Sequence, residues 1–190
     1  MVFNLLLACT GSVATIKLPL LLKKIEQRFQ NVSIRLVLTR SGEFFVKKDV
    51  EEIENIASIY RDSDEWNEWS KIGDEILHIK LTKWADAMLI SPLGANTLAK
   101  LANGLCDNLL TCLCRAWNFE KPIFFAPAMN TFMWNHPITK QHTDTLIGWG
   151  YEMIAPISKT LACGDTGIGA MAEVDTLVEH LTKLFHDRPC

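Results

Sequence analysis

The segment "APAMNTFMWNHP", Ala126 to Pro137, sets a neutral amide, Asn130, among two methionines and a tryptophan. No acid or base precedes His136 within it. Met and Trp in such a run are ordinary core residues, but Asn130 has no packing reason to stand there. A second segment, "LACGDTGIGAM", carries one thiol, Cys163, followed by Gly164, Gly167 and Gly169. So many glycines predict a mobile flap rather than a packed element. Two further stretches offer free amides at helix starts. "TGSVA", Thr10 to Ala14, reads either as a tight turn or as a phosphate cradle built on Gly11 and Ser12. "PLGANT", Pro92 to Thr97, reads either as simple capping or as a second anion site. Neither is a GxGxxG or Walker loop, so dinucleotide and triphosphate binding gain little. Two anion-ready helix starts on one sheet edge favour a mononucleotide. His78 in "LHIKL" is either structural or catalytic; His136, His142, His180 and His186 read as surface residues, with no metal-ligand spacing.

The elements that hold these residues follow from periodicity. "VFNLLLAC", "VSIRLVLT", "DAMLIS" and "KPIFFAP" are apolar runs of strand length, and "YEMIAP" reads as a last strand. Between them lie helical patterns with Ile16, Leu20, Leu21 and Ile25 on one face and Pro19 in the first turns. "NTLAKLANGL" predicts a helix capped by Asn96 or Thr97, and "DNLLTCLCRAW" one capped by Asp107. "DSDEWNEWSKIGDEILHIKLTKWAD" reads as surface helix and loop, and "AEVDTLVEHLTKLF" as a final amphipathic helix. Strands alternating with helices, each strand apolar throughout, predict an α/β, Rossmann-like or flavodoxin-like three-layer sandwich with a mostly parallel sheet. Ligands of such sheets bind at the carboxyl ends of strands. All four motifs beginning "TGSVA", "TRSGEF", "PLGANT" and "PAMN" fall at such ends.

The bulk numbers bound the rest. The 190 residues suit one domain, expected over 1–190, with a sizeable core. A net charge of −3 gives no reason to expect nucleic acid or an anionic membrane as partner. The apolar start "MVFNLLLACTGS" lacks a basic leader and is too short to span a bilayer. Six cysteines without CxxC pairs predict free thiols in a reducing, cytoplasmic compartment, most of them as small core residues.

Together "GSVA", "HIKLTKWAD", "PLGANTLAKLANGLCDNLLTCLCRAW", "PAMNTFMW" and "ACGDTGIGAMAEV" resemble the flavin-containing cysteine decarboxylases over nearly the whole chain. The resemblance implies FMN as cofactor and homotrimers with sites at subunit interfaces. It implies that Gly11, Ser12 and Val13, then Thr39 and Ser41, then Gly94, Ala95, Asn96 and Thr97, and also Ala128, hold the flavin. It assigns His78 as catalytic histidine, Cys163 as proton donor and Asn130 as the amide that holds the substrate carboxylate. Met133, Thr160, Ala162 and Met171 are implied substrate contacts. Two positions depart from the family pattern: Gly94, where relatives carry Ser or Asp, and Thr160, where a basic residue is common and Lys159 stands one step earlier.

The chemistry implied is loss of CO2 from 4'-phosphopantothenoylcysteine in coenzyme A synthesis. An arginine at position 130 would stabilise the carboxylate ground state and lose that pairing as CO2 forms. A neutral amide orients the group with less of that penalty, and Met129, Met133 and Trp134 would wall it off from water. Cys163 has no basic neighbour in sequence and Asp165 two residues away, which suits an acid better than a nucleophile. Three other readings exist: a peptidyl-cysteine decarboxylase that stops at the ene-thiol, a flavin prenyltransferase, and a regulatory subunit that inhibits a phosphatase. The joint presence of His78, Asn130 and Cys163, without a long acidic extension, speaks against the last.

Overall fold

The computed structural model describes residues 2–67, 69–160, 164 and 166–186, without the side chains of 67, 185 and 186. Six strands form one parallel sheet: β1 (Phe3–Cys9), β2 (Val32–Leu38), β3 (Ser58–Arg61), β4 (Ala87–Leu93), β5 (Ile123–Pro127) and β6 (Glu152–Met153). Their order is β3-β2-β1-β4-β5-β6. All seven residues of β4 are buried, as a strand covered on both faces requires. The side chains of β1 alternate between two cores. Leu5, Leu7 and Cys9 face one, Leu6 and Ala8 the other.

The helices are α1 (Leu18–Arg28), α2 (Arg40–Val46), α3 (Val50–Glu54), α4 (Asp64–Asn67), α5 (Leu77–Trp84), α6 (Ala95–Ala102), α7 (Leu109–Arg115), α8 (Thr131–Asn135), α9 (Pro137–Gly148) and α10 (Val174–His186). Leu21, Leu22 and Ile25 of α1 meet Leu177 and Leu181 of α10 in the first core. Leu77 and Leu81 of α5, Leu98 of α6, Leu110 and Leu113 of α7 and Leu146 of α9 build the second. The predicted doubly wound layout is therefore the observed one. Connections run outward from β1 and β4 in opposite directions, which opens a crevice at their carboxyl ends. Among the described residues no helix is long and apolar enough to cross a membrane.

Four local expectations are corrected. A 3-10 turn (Val13–Lys17) precedes α1, and Ile16 and Leu20 are exposed, so the buried face is Leu18, Leu21, Leu22 and Ile25; Pro19 stands in the first turn of α1, as expected. Helix α6 is capped by Gly94; Asn96 and Thr97 lie inside it. Helix α7 is capped by Asn108, whose side chain and that of Thr111 form a reciprocal capping box, while Asp107 pairs with Lys100 at 2.5 Å. The chain also has two strands after β6, the antiparallel hairpin β7 (Ile157–Thr160) and β8 (Thr166–Ala170). Glycine is poor in strands, so β8 was invisible to periodicity and read as a flap. The tip of this hairpin, 161–163 and 165, lies outside the described residues.

Candidate active site

The loops after β1, β2 and β4 are interlocked by threonine hydroxyls. Thr10 Oγ1 donates to the Pro92 carbonyl at 2.9 Å and accepts from the Gly94 amide at 2.8 Å. Thr39 Oγ1 donates to the Cys9 carbonyl at 3.3 Å and accepts from the Gly42 amide at 3.2 Å, capping α2. Gly11 sits where these loops meet: a Cβ there would fall 2.4 Å from the Ser41 Cβ. Only glycine lets the first loop approach the second so closely.

Two helix starts open from this knot into one cleft. Ser12 caps the 3-10 turn by accepting from the Ala14 amide at 3.3 Å. Gly94 brings no side chain to cap α6, and among the described residues no side-chain cap forms there. The cleft has a volume of about 620 Å3. Ala128, Met129, Met133 and Met171 give it apolar walls, and Lys17 and Lys159 bring positive charge.

Most of the expected site residues are brought together here. Gly11, Ser12, Val13, Gly94, Ala95, Asn96, Ala128, Asn130, Met133, Thr160 and Met171 all line the cleft. Thr39 and Thr97 are buried behind it as supports, and exposed Ser41 abuts Gly11. Trp134 does not line it, so the expected apolar wall is methionine without the tryptophan. Cys163 and Ala162 fall outside the described residues.

Asn130 does have a structural reason to be where it is. Its side chain caps α8, accepting from the Phe132 amide at 2.8 Å, while the residue also lines the cleft. The glycines of β8 also act by packing. Gly169 lies at φ +132°, and a Cβ there would meet the Met129 carbonyl oxygen at 2.5 Å. Its own carbonyl accepts from the Met129 amide at 2.9 Å. A Cβ at Gly167 would fall 2.6 Å from Thr131 Oγ1. The hairpin thus lies flat on the segment that carries Asn130. Its opposite side is tied down by Glu173, which bridges Lys17 at 2.8 Å and Lys159 at 3.0 Å. The Lys17 hydrogen bond, followed by that of Lys159, lowers the Glu173 carboxyl to about 2. Thr160 shares a hydroxyl contact with Thr166 across the hairpin at 3.2 Å.

His78 stands apart. It lies near the start of α5 and does not line the cleft. Its Nδ1 is 2.5 Å from one carboxylate oxygen of Glu65, and its backbone amide donates to the other at 3.1 Å. Sequence reading missed Glu65, because nothing in the spacing of "DEW" links it to a residue thirteen positions on. It also missed Lys17 and Phe45 as cleft residues, since Lys17 falls within the helical pattern of Ile16 to Ile25 and Phe45 lies one residue past "TRSGEF".

Cysteine usage is mixed. Cys9 and Cys114 are buried; Cys106 is exposed and Cys112 half-buried, and all four are free thiols. Cys9 donates to the Ser91 carbonyl at 2.9 Å, and burial drives its thiol pKa far up. Burial likewise pushes Cys114 up to about 12. Neither is a reactive thiolate.

Comparison with known proteins agrees with this geometry. The Flavoprotein family model matches residues 2–186. The phosphopantothenoylcysteine decarboxylase of Oryza sativa subsp. japonica is 53% identical over 170 residues, which cover 90% of this chain and 75% of the rice protein. That of Mus musculus is 49% identical over 93% of this chain and 84% of its own. A solved cysteine-to-serine mutant of PPC decarboxylase, complexed with pantothenoylaminoethenethiol, superposes with a TM-score of 0.92 at 45% identity, covering 98% of this chain and 100% of that one. The FMN binding protein AtHal3 superposes at 0.90 with 45% identity, covering 100% of both chains. With its sheet order, its switch-point cleft and these relatives, the chain belongs to the Flavoprotein family that the phosphopantothenoylcysteine decarboxylases share.

Proposed function

We propose that this protein is an FMN-dependent decarboxylase that converts 4'-phosphopantothenoylcysteine to 4'-phosphopantetheine in coenzyme A biosynthesis. The observation that carries the reading is the cleft itself, which joins two helix starts, one of them without a side-chain cap, to Asn130 along methionine walls. The residues present fit FMN. Amides after Ser12 and Gly94 suit a phosphate, and the apolar walls suit a flat ring system.

The chemistry supplied by bound FMN is a two-electron oxidation of the cysteinyl carbon–sulfur unit, reversed after CO2 has left. The chain's own residues do the rest. Asn130 orients the leaving carboxylate with a neutral dipole, while Met129 and Met133 keep water from it. Lys17 and Lys159 offer the substrate phosphate a cationic anchor where Thr160 cannot, and Thr160 and Met171 contact the rest of the substrate. Cys163 supplies the proton that completes the product, and His78 handles the substrate thiol proton.

Because His78 does not line its own cleft, it reaches the site of a neighbouring subunit in a homotrimer. Exposed aromatics support such contacts on both parts of the molecule: Phe132, 79% exposed, beside Asn130, and Trp66, 78% exposed, beside Glu65. The chain acts as one flavoprotein domain in the cytoplasm. The purified protein is expected to be yellow and to release FMN on denaturation. Colourless protein that cannot be reconstituted with FMN would overturn the catalytic reading.

A further inference from the structure

We propose that Glu65 is a positioning residue that fixes the ring tautomer of His78. The proposal deepens the site reading and rests on the assignment of His78 to the reaction. Its basis is the shape of the contact. One carboxylate grips the histidine twice, by the ring nitrogen at 2.5 Å and by the backbone amide at 3.1 Å. The Glu65 side chain is only 8% exposed. Burying a carboxylate is costly unless partners satisfy it, and no described Lys or Arg forms an ion pair with this one. A full α-helical turn, α4, places it there, held at its start by the Arg61 amide donating to Asp64 at 2.8 Å.

An ionised carboxylate only accepts hydrogen bonds. Nδ1 beside it therefore carries a proton, so the neutral ring leaves Nε2 free as the proton acceptor. The Glu65 grip also sets the direction in which Nε2 points. Burial first, and then the charges of Cys106, Glu65, Asp107 and Asp62, raise the Cys112 thiol, which sets Glu65 among acidic rather than basic groups. Lys80, two residues beyond His78, pairs with Glu75 at 2.6 Å, Lys100 with Asp107 at 2.5 Å, and Arg61 with Glu43 at 2.8 Å. Lys83 lies in the last turn of α5, beyond the first turn that carries His78.

Glu65→Gln separates charge and tautomer from packing. An amide has one acceptor and one donor end, whereas the site needs two acceptors. With its oxygen on the His78 amide, its NH2 faces Nδ1 and drives the ring proton to Nε2. The experiment is long-range 1H–15N NMR of the His78 ring in FMN-loaded protein, with steady-state kinetics on the same samples. Wild type is expected to show the Nδ1–H form, and Glu65→Gln the Nε2–H form. In the variant kcat should fall by on the order of 10²–10⁴-fold, with KM and bound FMN little changed. Glu65→Asp, which keeps two acceptors, should keep the Nδ1–H form. An Nε2–H ring in wild type overturns the proposal without any variant, so a misfolded variant cannot protect it. An unchanged tautomer in Glu65→Gln overturns it too, as does normal kcat in that variant where His78→Asn is inactive. Should His78→Asn itself turn over normally, the catalytic reading of His78 fails, and the tautomer result still decides whether Glu65 positions the ring.

Discussion

Asn130 serves two purposes with one side chain: it caps α8, and it lines the cleft where a carboxylate would sit. Asp is as good a cap as Asn, so Asn130→Asp should fold normally. It also sets a negative charge against the substrate carboxylate. We expect kcat/KM to fall by at least ~10²-fold, about 2.7 kcal/mol, while the melting midpoint stays near wild type. Retained turnover with FMN bound would remove Asn130 from the site. Cys163 makes a different prediction, because serine is a far weaker acid than a thiol of pKa about 8.5. In a single anaerobic turnover Cys163→Ser should release CO2 and yield an ene-thiol lighter by two hydrogens than 4'-phosphopantetheine, as judged by mass spectrometry, with the two electrons retained as reduced FMN. Fully reduced product at the original rate would refute the donor role.

At the scale of elements, much was legible and the failures have causes. Strands β1, β2, β4 and β5 announced themselves as apolar runs, and their ends located the cleft. The caps of α6 and α7 were misread by one to three residues, because "GANT" and "CDN" each offer several capping residues side by side. The hairpin was misread because its glycines are there for close approach to Met129 and Thr131, a tertiary reason no local pattern carries. Its latch is Glu173. That carboxyl is lowered by Lys17 and Lys159 from the ordinary 4.5 to about 2, so its contribution is present above the ordinary value and is lost as pH falls toward 2. The protection of the β7 and β8 amides, taken against the intrinsic exchange rate at each pH, should therefore fall over that acid window, and Glu173→Gln should show the lowered protection already at neutral pH. Protection independent of both would mean the bridges hold nothing. Helix α5 has its own anchor. Lys121 Nζ donates to the carbonyls of Thr82, Lys83 and Ala85 at 3.1, 3.3 and 2.7 Å. Lys121→Met strands those acceptors and should cost about 1–3 kcal/mol, read as a lower urea midpoint.

On the scale of the whole molecule, the sequence resemblance and the geometry meet at one question, since His78 and the cleft lie apart in a single chain. If a neighbouring subunit supplies the histidine, two dead variants should rescue each other. Mixed and reassembled His78→Asn and Asn130→Asp chains should regain activity in roughly a quarter of the sites of a cyclic trimer. No rescue in verified mixed oligomers would place both residues in one subunit's site. The most direct test of the central claim is product analysis on wild-type protein given 4'-phosphopantothenoylcysteine. The account predicts CO2 and fully reduced 4'-phosphopantetheine in equal amounts, with no net oxidant consumed. Absence of CO2 would contradict decarboxylation altogether, and a product lighter by two hydrogens would contradict the reductive half and point to the early-stopping cysteine decarboxylases.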